Sequence, residues 1–215
     1  MEATLDTPAG TIPLRRDGDG SGAVLILAHG AGAGMDHPFM ATVARELSHE
    51  VDVVRFNFHY IEAGRKAPDR QQVLEETYRR VAEHVRSELR PERLILGGKS
   101  MGGRIASHIA ASGTGCEGLV FLGYPLHPPG RPDRLRDAHL YEIDVPMLFV
   151  EGTRDPFCPL ETLERVRAGL RAPHELAVIE DGDHSFRVRK SSGRDNDEAL
   201  SELVDRVRTW IRHLR

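Results

Sequence analysis

The chain is nearly free of cysteine: Cys116 and Cys158 are the only two in 215 residues. They show no C-x-x-C spacing and cannot build a disulfide framework, so two reduced thiols are the expectation. Long apolar runs are missing too, and no stretch approaches the roughly 20 residues of a membrane-crossing helix. The first residues, Met1-Glu2-Ala3-Thr4-Leu5-Asp6, lack the basic and apolar regions of a secretory leader, so a cytoplasmic location without membrane attachment is expected. There is no basic excess. The formal net charge of −4 argues against a general nucleic-acid binder. No Cys/His/Asp set has zinc spacing, so neither metal nor cofactor is expected. No internal repeat and no low-complexity tract interrupts the chain.

What is present reads as one α/β domain over residues 1–215. The length lies within the usual range for a single core, and 40% hydrophobic with 29% charged residues is ordinary for a globular protein. Short apolar runs alternate with longer amphipathic stretches, which is the pattern of a mostly parallel central sheet flanked by helices. Strands are predicted at Ala23–Ala28, Val51–Phe56, Arg93–Gly97, Gly118–Leu122, Pro146–Val150 and Glu175–Ile179. Most are unbroken apolar runs, as strands covered on both faces should be. Helical spacing falls at about 36–48, 69–90, 101–112, 159–171 and 195–214. In the last of these Trp210 repeats with Leu203 and Val207 and is assigned to the core. A hairpin of Ala3–Leu5 with Thr11–Leu14 is expected at the sheet edge. Gly123–Asp137, rich in proline, glycine and charge, has no obvious element.

One junction carries chemistry. Gly98-Lys99-Ser100-Met101-Gly102 is a G-x-S-x-G pentapeptide that follows the apolar run Leu94-Ile95-Leu96 and leads into a helical segment. The serine of such a turn is held in a strained backbone, and flanking glycines leave room where a Cβ would clash. Its hydroxyl then stands above the sheet at a helix N-terminus, where developing negative charge is stabilised.

In open parallel sheets, sites form beyond the carboxyl ends of the strands, so the loops after other strands should supply partners for this serine. Asp155, in Glu151-Gly152-Thr153-Arg154-Asp155-Pro156, can orient a histidine; the competing reading is an Asp-Pro turn initiator. His184 follows the final strand and can fold back over the sheet as general base. Asp183 is its neighbour, but adjacent loop residues point apart, which favours Asp155. The loop His29-Gly30-Ala31-Gly32-Ala33-Gly34 lets backbone N–H groups approach a substrate. Carbonyl attack needs two such donors for its oxyanion. They are assigned to Met101 and Ala31, with Gly32 open as a replacement for Ala31. A phosphate-cradling loop is the weaker reading, because the segment is not G-x-G-x-x-G and lacks a P-loop lysine.

Together these segments resemble the α/β-hydrolase superfamily. Within it they resemble the small branch of testis-expressed protein 30 and the hydrolase-like domain of an acetyltransferase-complex subunit. The matching residues are Leu27–Gly32, Arg55-Phe56-Asn57-Phe58, Gly97–Arg104, Gly123–Gly130, Gly152–Phe157 and Gly182–Phe186. The resemblance implies an α/β-hydrolase fold with a minimal or absent cap and a cofactor-free triad of Ser100, Asp155 and His184. It supplies no substrate, and some relatives act as interaction modules. The expected function is therefore a serine hydrolase of an ester or thioester of a small acyl group. A non-catalytic binding or scaffold protein is the alternative. The expected partner is a small acyl substrate, with neither nucleic acid nor membrane. Residues 123–143 are expected to form a short cover, and His29, Gly32, His59, Tyr124 and Leu126 to line the pocket. For His29 a role bracing the turn competes, and for His59 a structural one. Cys158 is expected to pack near Asp155, and the basic run Arg187, Arg189, Lys190 and Arg194 to be a solvated loop.

Overall fold

The computed structural model describes residues 2–20 and 22–214. Its strands are β1 (Glu2–Thr7), β2 (Gly10–Asp17), β3 (Ala23–Ala28), β4 (Asp52–Phe56), β5 (Arg93–Lys99), β6 (Gly118–Leu122), β7 (Met147–Gly152) and β8 (His174–Ile179). They form one sheet in the order β1-β2-β4-β3-β5-β6-β7-β8. β1 and β2 pair antiparallel, and β2 runs antiparallel to β4, while every other neighbouring pair is parallel. β3, β4, β6 and β7 are buried at every position. This is why β3 and β6 appear in the sequence as continuous apolar runs rather than alternating ones, while β4 and β7 bury Asp52, Arg55 and Glu151 within theirs.

The helices are α1 (Pro38–Leu47), α2 (His59–Glu62), α3 (Gln71–Leu89), α4 (Met101–Ala111), α5 (Leu160–Arg167) and α6 (Asn196–His213). One face of the sheet packs against α3, α4 and α5, through Tyr78, Val81, Ile105, Ile109 and Leu163 among others. The other face packs against α1 and α6, through Met40, Val43, Leu47, Leu203, Val207 and Trp210. Trp210 therefore belongs to the core, as its spacing predicts.

Helix ends follow local chemistry. α1 starts at Pro38, whose missing N–H costs nothing at the first helical position, and the His37 side chain caps it. α3 ends at Arg90, which takes a left-handed conformation ahead of Pro91. α6 opens on a reciprocal capping box between Asp195 and Glu198. α5 is shorter than its apolar spacing predicts, because after Arg167 the chain tightens into turns at Ala168, Gly169 and Leu170. The edge hairpin is longer than predicted, and its second strand lies inside the sheet against β4. Residues 123–137 hold no helix or strand, and a single 3-10 turn follows at Ala138–Glu142. Among the described residues no separate cap domain covers the sheet.

The chain leaves β3 for β4 on one side and returns to β5 on the other, with Ala28 paired to Gly98 across the β3–β5 ladder. That reversal sets the loops after β3 and β5 side by side, at the position where open parallel sheets gather their sites.

Candidate active site

Ser100 follows β5 with φ 50° and ψ −114°, a conformation that a side chain adopts at a cost of roughly 1–3 kcal/mol. The surroundings enforce it. A Cβ on Gly98 would lie 2.5 Å from the Ala28 carbonyl oxygen, and one on Gly102 would lie 2.3 Å from the same atom. Ser100 N–H donates to the Leu122 carbonyl (3.0 Å), and its own carbonyl accepts from Arg104 N–H (3.1 Å), which opens α4. The first N–H groups of α4, Met101 included, have no acceptor within their own helix.

The Ser100 hydroxyl oxygen stands 2.9 Å from His184 Nε2. His184 Nδ1 lies 2.6 Å from Asp155 Oδ2. An ionised carboxylate can only accept, so Nδ1 carries the proton and Nε2 is left free to accept from the serine. The Asp155 side chain has no exposure, and its other oxygen accepts from Phe157 N–H at 2.8 Å. Asp183 is occupied elsewhere: its Oδ1 accepts from the N–H groups of Ser185 and Arg187 and shapes the loop that presents His184. The acid and base loops are clamped together. Arg154 N–H donates to the Gly182 carbonyl at 2.9 Å, at a contact so close that a Cβ on Gly152 would lie 2.2 Å from that oxygen.

Ser100, Met101, Ala31, Gly32 and His184 all line one cleft of about 1060 Å³. Ala31 and Gly32 sit in a turn braced from below. His29 is fully buried; its Nδ1–H donates to the Gly30 carbonyl (2.8 Å) and its Nε2 accepts from Phe58 N–H (3.1 Å). Burial lowers its pKa to about 4, so it stays neutral in that bridge. Asn57 Oδ1 accepts from Met35 N–H (2.7 Å) and Arg55 donates to the Met35 carbonyl (2.6 Å), which fixes the far end of the loop.

Gly32 is the one residue of the expected pocket set that lines the cleft. His29 lies beneath it for the reason just given. His59 turns away to hydrogen-bond Thr7 of β1 at 2.6 Å, under the edge hairpin. Tyr124 and Leu126 are fully buried, their apolar surface drawn into the core on the α4 side. The basic run divides: Arg189 pairs with the buried Asp181 and Arg194 with Glu202, while Arg187 lines the cleft.

Behind the carboxylate lies a group the sequence does not single out. Glu151 is fully buried; its Oε1 accepts from Tyr124 N–H at 2.5 Å, and its Oε2 has no partner among the described residues. Burial, with the nearby Asp155 charge, raises its pKa well above the usual carboxylate range. Cys158 is packed beside it, and burial pushes its thiol pKa up, which makes it inert. Lys99 Nζ is buried without a hydrogen-bond partner, 5.4 Å from the centre of the Phe186 ring. Burial lowers its pKa to about 8, against the pull of Asp155, Glu151 and Asp183. Among the described residues no group of three or more His, Cys, Asp or Glu side chains could hold a metal ion, and no helix is long and apolar enough to cross a membrane.

The architecture and this site define an α/β-hydrolase. A family model of the alpha/beta hydrolase domain matches residues 21–212, and the chain belongs to that family. A serine hydrolase homologue from Coxiella burnetii superposes with a TM-score of 0.77 at 20% identity, covering 100% of this chain and 97% of its own. A Xanthomonas campestris serine hydrolase described as lacking a lid gives 0.76 at 23% identity, covering 98% and 94%. The uncharacterized protein YfhR of Escherichia coli strain K12 is 25% identical over 205 residues, 87% of this chain and 70% of that protein.

Proposed function

We propose that the protein is a serine hydrolase that opens an ester or thioester of a small acyl group through Ser100, His184 and Asp155. The observation that carries this reading is the unbroken line from the Ser100 hydroxyl through His184 to a buried carboxylate, at 2.9 and 2.6 Å, open to a cleft. The names of the two serine hydrolase neighbours support it. The motif residues also favour kinship with the small branch of testis-expressed protein 30.

In the first half-reaction the Ser100 proton passes to His184 Nε2 as Oγ bonds to the carbonyl carbon, and the carbonyl π pair moves onto oxygen. The N–H groups of Met101 and Ala31 hold that oxyanion. Its collapse breaks the bond to the leaving alkoxide or thiolate, which takes the proton back from His184. Water then attacks the acyl-enzyme, again giving a proton to His184, and the acid leaves as Ser100 is restored. Asp155 stabilises the imidazolium in both halves. His29 keeps the loop of Ala31 in place without touching the reacting atoms. Residues 123–143 act as a short partial cover, and no cofactor takes part.

A fluorophosphonate probe tests this. We expect one covalent adduct on the native protein, located by mass spectrometry at Ser100, and none on Ser100→Ala. Absence of labelling on the folded native protein would favour a binding or scaffold role and overturn the enzyme reading.

A further inference from the structure

The two walls of the cleft differ in charge. On the α1/α6 side the lining includes Pro38, Phe39, Met40 and Leu200, and its two charged residues, Asp197 and Arg187, are of opposite sign. On the α3/α4 side two arginines, Arg104 and Arg136, face the same space against one carboxylate, Asp69. Arg104 sits four residues after Ser100 on α4, about 6 Å along the helix axis.

Neither guanidinium has a carboxylate at ion-pair distance among the described residues. Arg104 Nη1 spends its donors on neutral acceptors, Gln71 Oε1 (3.2 Å) and His108 Nε2 (3.3 Å). Its Nε is buried with no hydrogen-bond partner among the described residues. Of the nearby acids, Asp69 gives Oδ1 to Arg65 at 2.5 Å and leaves a buried Oδ2 without a partner among the described residues, and Glu75 pairs with Arg79. A buried, unpaired N–H of a cation is costly, and a second cation beside it adds to that cost. A planar guanidinium matches the two oxygens of a carboxylate or phosphate, and an incoming oxyanion would give both arginines the acceptor they lack.

We propose that Arg104 and Arg136 form an anion subsite, and that the ester or thioester opened at Ser100 carries a carboxylate or phosphate group a few bonds from its carbonyl carbon. This rests on the hydrolase reading and narrows its substrate class. The net charge of −4 repels anions over the molecule as a whole, so any preference for an anionic ester has a local source.

The test compares mono-p-nitrophenyl glutarate with p-nitrophenyl pentanoate, which share a chain length and differ in the terminal carboxylate. The ratio of their kcat/KM values is internal to each protein, so reduced folding yield of a variant cancels. In the native protein at low salt we expect the charged ester to be preferred about tenfold or more. The preference should fall toward parity in Arg104→Gln, in Arg136→Gln and in about 1 M salt, where surface charge is screened. A native ratio at or below one, or a ratio unmoved in both variants, overturns the subsite. If neither ester turns over and the fluorophosphonate does not label, the hydrolase reading has failed by itself. Calorimetric titration of glutarate, and separately of inorganic phosphate, into Ser100→Ala then decides the subsite. Binding that Arg136→Gln weakens about tenfold sustains it and shows which oxyanion is held; no heat with either anion overturns it.

Discussion

Two serines of α4, Ser100 at its N-cap and Ser107 within it, each meet a histidine, and their surroundings differ. Ser100 Oγ is 2.9 Å from His184 Nε2, and Ser107 Oγ is 2.8 Å from His139 Nε2. The distances are the same in any practical sense, so distance is not what separates them. Ser107 lies in the middle of α4, fully buried, and donates its one proton to the Arg104 carbonyl (2.7 Å). Its oxygen also meets Tyr124 Oη at 3.1 Å. Among the described residues no carboxylate pairs with His139, whose partners are Ser107, Tyr124 and His108. It stacks on His108 with ring centres 3.6 Å apart, and burial, with His108 and Arg104 nearby, lowers its pKa to about 3. A histidine that resists a proton cannot accept one from an attacking serine. Ser100 differs in everything except the distance: a strained backbone at a helix N-terminus, an open cleft, and a base oriented by a buried acid. A hydroxyl–imidazole contact is thus a packing device or a reaction centre according to what stands behind the imidazole.

The largest expected effect comes from making the first pair resemble the second. Asp155→Asn keeps the shape but replaces the acceptor for His184 Nδ1 with an amide that can enforce the wrong tautomer. Turnover of an activated ester should fall by about 10⁴, as in other triads, with the fold retained by circular dichroism. Glu151→Gln is the matched control four residues away in sequence. Burial already favours its uncharged form, and an amide oxygen still accepts from Tyr124 N–H, so turnover should stay within a few-fold of native. Near-normal activity in Asp155→Asn would move the orienting role elsewhere, and a large loss in Glu151→Gln would make that second acid a participant.

Much of this difference was legible in the sequence, and the reasons are local. Strands β3 and β6 and the start of α4 match their predicted limits because unbroken apolar runs and a glycine-flanked serine admit few other conformations. Ser100, Asp155 and His184 could be brought together from chain order, since each follows a strand and parallel strands share one exit edge. Pocket walls were harder. Tyr124, Leu126 and His59 also follow strands, but whether a side chain there faces the cleft or the core depends on neighbours far away in sequence, such as Ser107 and Thr7. Arg104 carried a usable signal, four residues from the serine on one helix face. Arg136 carried none, because its place is set by an irregular segment. Glu151 follows the predicted strand Pro146–Val150, and only its burial beside Asp155 reveals the upward shift of its pKa.

A smaller effect tests the second pair through acid. The folded pKa of His139, about 3, lies below the ordinary 6.5, so between those values the unfolded chain binds a proton that the folded chain refuses. Stability should therefore decline as pH falls from about 6.5 toward 3. His29, lowered to about 4 by burial, contributes in the same direction. His139→Gln retains an amide that can hydrogen-bond Ser107 Oγ and Tyr124 Oη but does not titrate there. Its urea midpoint should fall less steeply with acid than that of the native protein. Parallel curves would mean that His139 is protonated in the fold, and its contrast with His184 would be lost.

The smallest effect is expected at the serine whose contact distance matches that of Ser100. Ser107→Ala removes one hydroxyl, but it leaves Tyr124 Oη and His139 Nε2 bonded to each other at 3.1 Å, so neither buried group loses its last partner. The Arg104 carbonyl that accepted from Ser107 keeps its place in the helix ladder. Losing a hydrogen bond without stranding a buried group costs about 1 kcal/mol, partly offset by the better helix propensity of alanine. Denaturant unfolding should register a loss of that order, and fluorophosphonate labelling and ester turnover should match the native protein. Loss of labelling in a folded Ser107→Ala would mean that the buried pair feeds the reaction. Labelling that persists on Ser100→Ala and vanishes only in the double variant would reverse the assignment of the two serines.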